Sequence, residues 1–88
     1  MEYIENSITL TCSLTSRTAN AFISKITPVN SSIYFITTDG RNINAKSLIG
    51  LLSAQLHCGE KINVIITGNN KNDVETDFCQ LNKILSEI

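Results

Sequence analysis

The 88-residue sequence predicts an α+β open-faced sandwich, in which a four-stranded, mostly antiparallel sheet carries three helices on one face in the order βαββαβα. Three observations predict it. Segments with alternating apolar residues are interleaved with segments whose apolar residues recur every three to four positions. Asp39-Gly40 between two β-prone runs marks a hairpin. The apolar stripes of the three helices need one shared surface, which one face of a single sheet supplies.

Taken in order, Tyr3 to Thr11 places Ile4, Ile8 and Leu10 on even positions and predicts β1. Thr11 to Thr15 breaks the alternation and reads as a loop. From Ser16 the period changes: Ala19, Phe22, Ile23 and Ile26 lie on one helical face, α1. Thr15 or Ser16 supplies the capping oxygen, and Pro28 ends the helix because the residue before proline avoids helical backbone. Ser32 to Thr38, rich in β-branched and aromatic side chains, is β2. The two-residue Asp39-Gly40 turn returns the chain as β3 over Arg41 to Asn44. Ser47 caps a short α2 that runs to about Leu56 and is closed by Gly59. Lys61 to Thr67, with Ile62, Val64 and Ile66 on one face, is β4. Gly68-Asn69-Asn70 is a turn, and Asn72 or Asp73 caps α3, whose apolar face is Val74, Phe78, Leu81 and Leu85.

Residues 1–88 make one domain on this reading, with no repeat and no linker. Apolar residues are 42% of the chain, and the net charge is −1 with lysine and arginine scattered singly. That balance gives no reason to expect nucleic acid or an anionic membrane as a direct partner. No apolar run approaches the roughly 20 residues that cross a bilayer, and no signal peptide opens the sequence, so a cytoplasmic location is expected. Cys12, Cys58 and Cys79 are far apart and in no metal-ligand spacing. They read as reduced thiols, with Cys12 a buried, inert one. No acid/base pair, Gly-rich loop or metal cluster is visible, so neither an enzyme nor a cofactor is expected.

Asp39-Gly40-Arg41-Asn42-Ile43-Asn44-Ala45-Lys46-Ser47-Leu48-Ile49-Gly50-Leu51-Leu52-Ser53 resembles the HPr phosphocarriers of the bacterial sugar phosphotransferase system. In that family a turn glycine and a short strand precede Lys-Ser, two apolar residues, Gly, two apolar residues and Ser. The resemblance runs from Ile8 to Leu85. At the start of α1 the family has Gly-Ile-His-Ala-Arg-Pro-Ala, whereas this chain has Ser13-Leu14-Thr15-Ser16-Arg17-Thr18-Ala19. Arg17 and Ala19 agree. Thr15 stands where the resemblance places the phosphorylated histidine.

A phosphocarrier needs a nucleophilic imidazole and a labile phosphoryl bond. A threonine hydroxyl without a base supplies neither, so Thr15 reads as an ordinary N-cap. The α1 amino terminus and Arg17 keep part of an anion-binding frame. The lone histidine, His57, falls near the end of α2, which in the family's architecture points away from the start of α1. A helix carboxyl end also disfavours a phosphoryl anion. His57 with Cys58 has no further metal ligands.

The resemblance also implies a second site. In many Gram-positive members the serine opening α2 is phosphorylated by a dedicated kinase and the protein becomes a corepressor. Ser47 after Lys46 occupies that position, and its alternative is simple capping. The catabolite-repression HPr-like proteins lack the histidine and keep the serine, as here. Leu48 and Leu52 are expected to face outward near Arg17 as a partner-docking patch, with Leu51 in the core. The resemblance thus implies a regulatory or interaction module in sugar transport and catabolite regulation. Its partners would be phosphotransferase-system proteins or a transcriptional regulator, with a serine kinase acting on Ser47. The alternative is a functional phosphocarrier that accepts phosphoryl from the first enzyme of the pathway.

Overall fold

The computed structural model describes residues 2–88, and its elements are β1 (Glu2–Thr9), α1 (Ser16–Ile26), β2 (Ser32–Ile36), β3 (Asn42–Asn44), α2 (Leu48–Ala54), β4 (Lys61–Gly68) and α3 (Lys71–Glu87). The strands form one sheet in the order β1-β4-β2-β3, and every pairing is antiparallel. β4 is therefore central. It pairs with β1 from Glu2↔Gly68 to Thr9↔Lys61 and with β2 from Ser32↔Thr67 to Ile36↔Asn63.

Period-two alternation puts Ile33 and Phe35 of β2, Ile43 of β3, and Ile62, Val64 and Ile66 of β4 on the buried face. The three helices cover that face with Ala19, Phe22 and Ile26 from α1, Leu51 and Ala54 from α2, and Val74, Leu81, Ile84 and Leu85 from α3. Phe22 and Phe35, both fully buried, meet at a ring-centroid distance of 6.0 Å and a tilt of 41°. This offset, tilted contact suits two aromatic quadrupoles.

Several boundaries differ from the sequence reading. β1 stops at Thr9, not Thr11, although Leu10 keeps the alternation and is buried. The β2–β3 loop has three residues, Thr38, Asp39 and Gly40, not two. Thr37 N–H donates to Arg41 O at 3.0 Å and Gly40 N–H to Thr37 O at 2.9 Å. Gly40 takes the left-handed position at φ 87°, which a three-residue hairpin needs at its last residue. α2 ends at Ala54 with Gln55 as its left-handed cap (φ 52°), so Gly59 does not close that helix. The cap of α3 is Asn70, whose side chain accepts from Asp73 N–H at 2.9 Å, rather than Asn72 or Asp73. β4 extends through Gly68, and only then does the chain turn. On α3, Ile84 joins the core and Phe78 is half-buried against it.

Candidate functional site

The loop into α1 is held by a cluster of hydroxyls. Thr15 is the N-cap residue, with extended backbone at φ −84° and ψ 179°. Its N–H donates to Thr18 Oγ1 at 2.8 Å, and the two hydroxyl oxygens lie 3.3 Å apart. Thr18 Oγ1 in turn donates to Ser13 O at 2.6 Å. With that proton committed, the Thr15 hydroxyl is the donor between the two. Thr18 stands where the family pattern has proline. A proline would fix the first turn through its ring; here a hydroxyl does so by bridging Ser13 and Thr15. Sequence reading missed this role, because the usual capping-box signal is Glu or Gln three residues after the N-cap and here a threonine stands there. Thr18→Val is therefore expected to lower stability by about 1 kcal/mol. Urea unfolding with unchanged m-value would record it, and a variant as stable as the parent would refute the bridge.

Thr15, Ser16 and Arg17 are exposed, and Arg17 makes no ion pair among the described residues. No acidic side chain occupies the first turn of α1. The positive end of the helix and one guanidinium thus face solvent together, and both favour an anion. Among the described residues, Thr15 Oγ1 has no carboxylate or imidazole as hydrogen-bond partner; its one side-chain partner is Thr18. No base among those residues is bonded to the hydroxyl to activate it.

The position of His57 corrects an expectation. The segment after α2 does not point away from the start of α1. Leu14 N–H donates to Leu56 O at 2.9 Å, and Cys58 N–H donates to Ser13 Oγ at 2.9 Å. His57, exposed, therefore lies in the segment bonded to the loop that leads into Thr15. Its own N–H donates to Glu60 Oε1 at 3.1 Å. The reason is tertiary register: β1 and β4 continue their pairing beyond the strand ends and carry both loops along together.

At the other end of the helix pair, Ser47 caps α2 with φ −101° and ψ 112°, and its Oγ accepts from Gly50 N–H at 3.1 Å. Asn44 holds the turn before it: its O accepts Ser47 N–H at 3.0 Å and its Oδ1 accepts Lys46 N–H at 2.9 Å. Lys46 Nζ donates to Val29 O, just past the end of α1. Gly50 has a local reason, since a Cβ there would sit 3.2 Å from Ser47 Oγ and 3.4 Å from Ile43. α1 and α2 run in opposite directions, because Leu56 reaches the start of α1 while Lys46 reaches its end. Thr15 and Ser47 therefore sit at opposite ends of the pair.

Of the apolar residues on α2, Leu51 is buried as expected. Leu48 and Leu52 are half-buried against the core, and the antiparallel run leaves Leu52, not Leu48, toward the Arg17 end. Ile49 is the outward one at 78% exposure, a residue the sequence reading did not single out. Next to α2, Arg41 ties the β2–β3 loop to the helix. Its Nη2 donates to Ala54 O at 3.2 Å and its Nε contacts the Asp39 carboxylate at 3.1 Å. The Thr37 hydroxyl, then Arg41, hold the Asp39 carboxyl below the usual carboxylate range.

This sheet order, with an open helix amino terminus on the covered face and a serine capping the second helix, defines an open-faced sandwich of phosphocarrier type. Residues 4–83 match the family model described as the PTS HPr component phosphorylation site. The HPr-like protein Crh of Halalkalibacterium halodurans is 35% identical over 66 residues, which are 75% of this chain and 77% of that protein. The chain belongs to the HPr family. The crystal structure of the phosphocarrier protein HPr from Bacillus anthracis superposes with a TM-score of 0.81, at 23% identity over 97% of this chain and 99% of that one. Crh of Bacillus subtilis, described as a swapped, intertwined dimer, has a TM-score of 0.71 at 26% identity over 91% of this chain and 87% of its own. Among the described residues, no helix is long and apolar enough to cross a membrane.

Proposed function

We propose that this HPr-family chain is a regulatory interaction module rather than a phosphoryl relay, and that its state is set by phosphorylation of Ser47. One observation carries the reading. At the start of α1, where the family pattern has histidine, the chain has Thr15, a hydroxyl whose one side-chain partner is another hydroxyl. Ser47 supports the regulatory half. It is half-buried at the head of α2, and the glycine at position 50 leaves its Oγ uncrowded. A phosphate there would replace a neutral acceptor of the Gly50 N–H by a charged one, a gain of the kind expected at a helix cap. The likeness to Crh of Halalkalibacterium halodurans points the same way. The partners on this reading are phosphotransferase-system proteins or a transcriptional regulator, met in the cytoplasm through the α1–α2 surface. Ile49, with the outer edges of Leu48 and Leu52, supplies its apolar part.

The test is incubation with an ATP-dependent serine kinase of the HPr system, followed by mass spectrometry. One phosphate on Ser47 is expected, and none on Ser47→Asn. Asparagine keeps a capping oxygen, so loss of labelling in that variant cannot be ascribed to a frayed helix. No phosphate, or phosphate at another residue, would overturn the proposal. A second reading, a phosphocarrier working through His57, is favoured by the bonding of Leu56 and Cys58 to the Ser13–Leu14 loop.

A further inference from the structure

Antiparallel contact between the β1 and β4 segments continues past Thr9 and Lys61. Leu10 N–H donates to Glu60 O at 2.9 Å, and Gly59 N–H donates to Leu10 O at 2.8 Å. Farther on, Leu14 N–H donates to Leu56 O at 2.9 Å, and Cys58 N–H donates to Ser13 Oγ at 2.9 Å. The two stretches are therefore fastened on either side of Cys12 and Cys58. Glu60 N–H donates to His57 O at 3.1 Å, so Cys58 lies in a turn, and its own N–H on Ser13 Oγ holds that turn beside Cys12. A disulfide needs Cα atoms about 4.4–6.8 Å apart, a separation within reach of two residues when one is hydrogen-bonded to the chain neighbour of the other. Both residues are free thiols; Cys12 is half-buried and Cys58 exposed. Burial, and then the charge of Cys58, push the Cys12 thiol up.

We propose that Cys12 and Cys58 are a redox-active pair that forms a reversible intramolecular disulfide when the protein meets a hydroperoxide. Cys58 reacts first because it is exposed. Its thiolate sulfur attacks the peroxide, the O–O bond breaks, and the leaving oxygen takes a proton and departs as water or an alcohol. Cys58 is left as a sulfenic acid. Cys12, as thiolate, then attacks the Cys58 sulfur; the S–O bond breaks and hydroxide leaves as water. Two thiols and one hydroperoxide thus give one disulfide, one water and the reduced form of the peroxide. A dithiol reductant reverses the bond by exchange. The disulfide would fasten the loop leading into Thr15 and Arg17 to the segment carrying His57. Cys79, exposed on α3, lies outside these two fastened stretches and stays reduced.

The probe is hydrogen peroxide, added to dilute, reductant-free protein. Free thiols are expected to fall from three to one per chain, and non-reducing peptide mapping should find Cys12 linked to Cys58, with full recovery in dithiothreitol. Cys79→Ser should leave the linkage intact. Cys12→Ser should replace it with Cys58 sulfenic acid, trapped by dimedone. Persistence of both thiols where free cysteine is oxidised would overturn the proposal. So would a linkage that joins Cys79, or one found only between separate chains.

Discussion

Incubated with phosphoenolpyruvate and the first enzyme of the phosphotransferase system, the chain is expected to take up no acid-labile phosphate. A relay requires an attacking atom that is nucleophilic at neutral pH and a product bond that breaks as readily as it forms. The Thr15 hydroxyl lacks both properties: among the described residues its side-chain hydrogen-bond partner is Thr18 Oγ1, and no base is bonded to it. Helix polarity and Arg17 stabilise an anion, but they act on a phosphoryl group only after something has accepted it. His57 is the remaining imidazole. It follows the carboxyl end of α2, and its backbone N–H donates to Glu60 Oε1, which brings a carboxylate into the same turn. A phosphoryl group there meets negative charge in place of a helix amino terminus. A phosphohistidine assay in alkaline conditions, run beside a histidine-bearing HPr, would differ by orders of magnitude between the two. Label on this chain that disappears in His57→Ala would establish the carrier reading instead.

Phe22→Ala is expected to remove about 3–5 kcal/mol of stability. Phe22 is fully buried, lies on the core face of α1 and packs against Phe35, so truncation leaves a void between helix and sheet and removes a ring–ring contact. A domain of this size has about 5–15 kcal/mol in total, so the loss approaches unfolding at body temperature. Calorimetry should show a midpoint lowered by about 12 °C or more. Phe22→Leu fills part of the void and should fall between the two. A loss below about 1 kcal/mol for alanine would mean that the α1 face contributes little to the core, contrary to the packing.

Much of the fold was legible because apolar period reports which face is buried. Of the α1 stripe, Ala19, Phe22 and Ile26 are in the core and Ile23 is half-buried against it, and the β4 alternation of Ile62, Val64 and Ile66 appears in the core as read. Boundaries were harder for chemical reasons. Asn69, Asn70, Asn72 and Asp73 can all cap a helix, and which one does depends on where β4 releases the chain. Gly59 looked like the end of α2 because glycine adopts left-handed backbone freely, yet Gln55 takes that role and Gly59 serves the contact with Leu10. At the candidate site, the change of residue at position 15 and the capping serine at 47 were readable. Thr18 was not recognised because its part in the loop depends on the fold of Ser13. The meeting of Leu10–Leu14 with Leu56–Glu60 has no local pattern at all. It follows from strand register set elsewhere in the sheet.

The central place of β4 also bears on how the chain folds as it is made. β1 is made before the other strands of the sheet and has β4, the last of the four, as its sole neighbour there. The β2–β3 hairpin can close early because its partners are adjacent in sequence. It still cannot join β1 until β4 arrives to lie between them. The sheet is therefore completed in one step once β4 has been made. Until then β1 waits unpaired, and chaperones or other nascent chains have that interval in which to reach it.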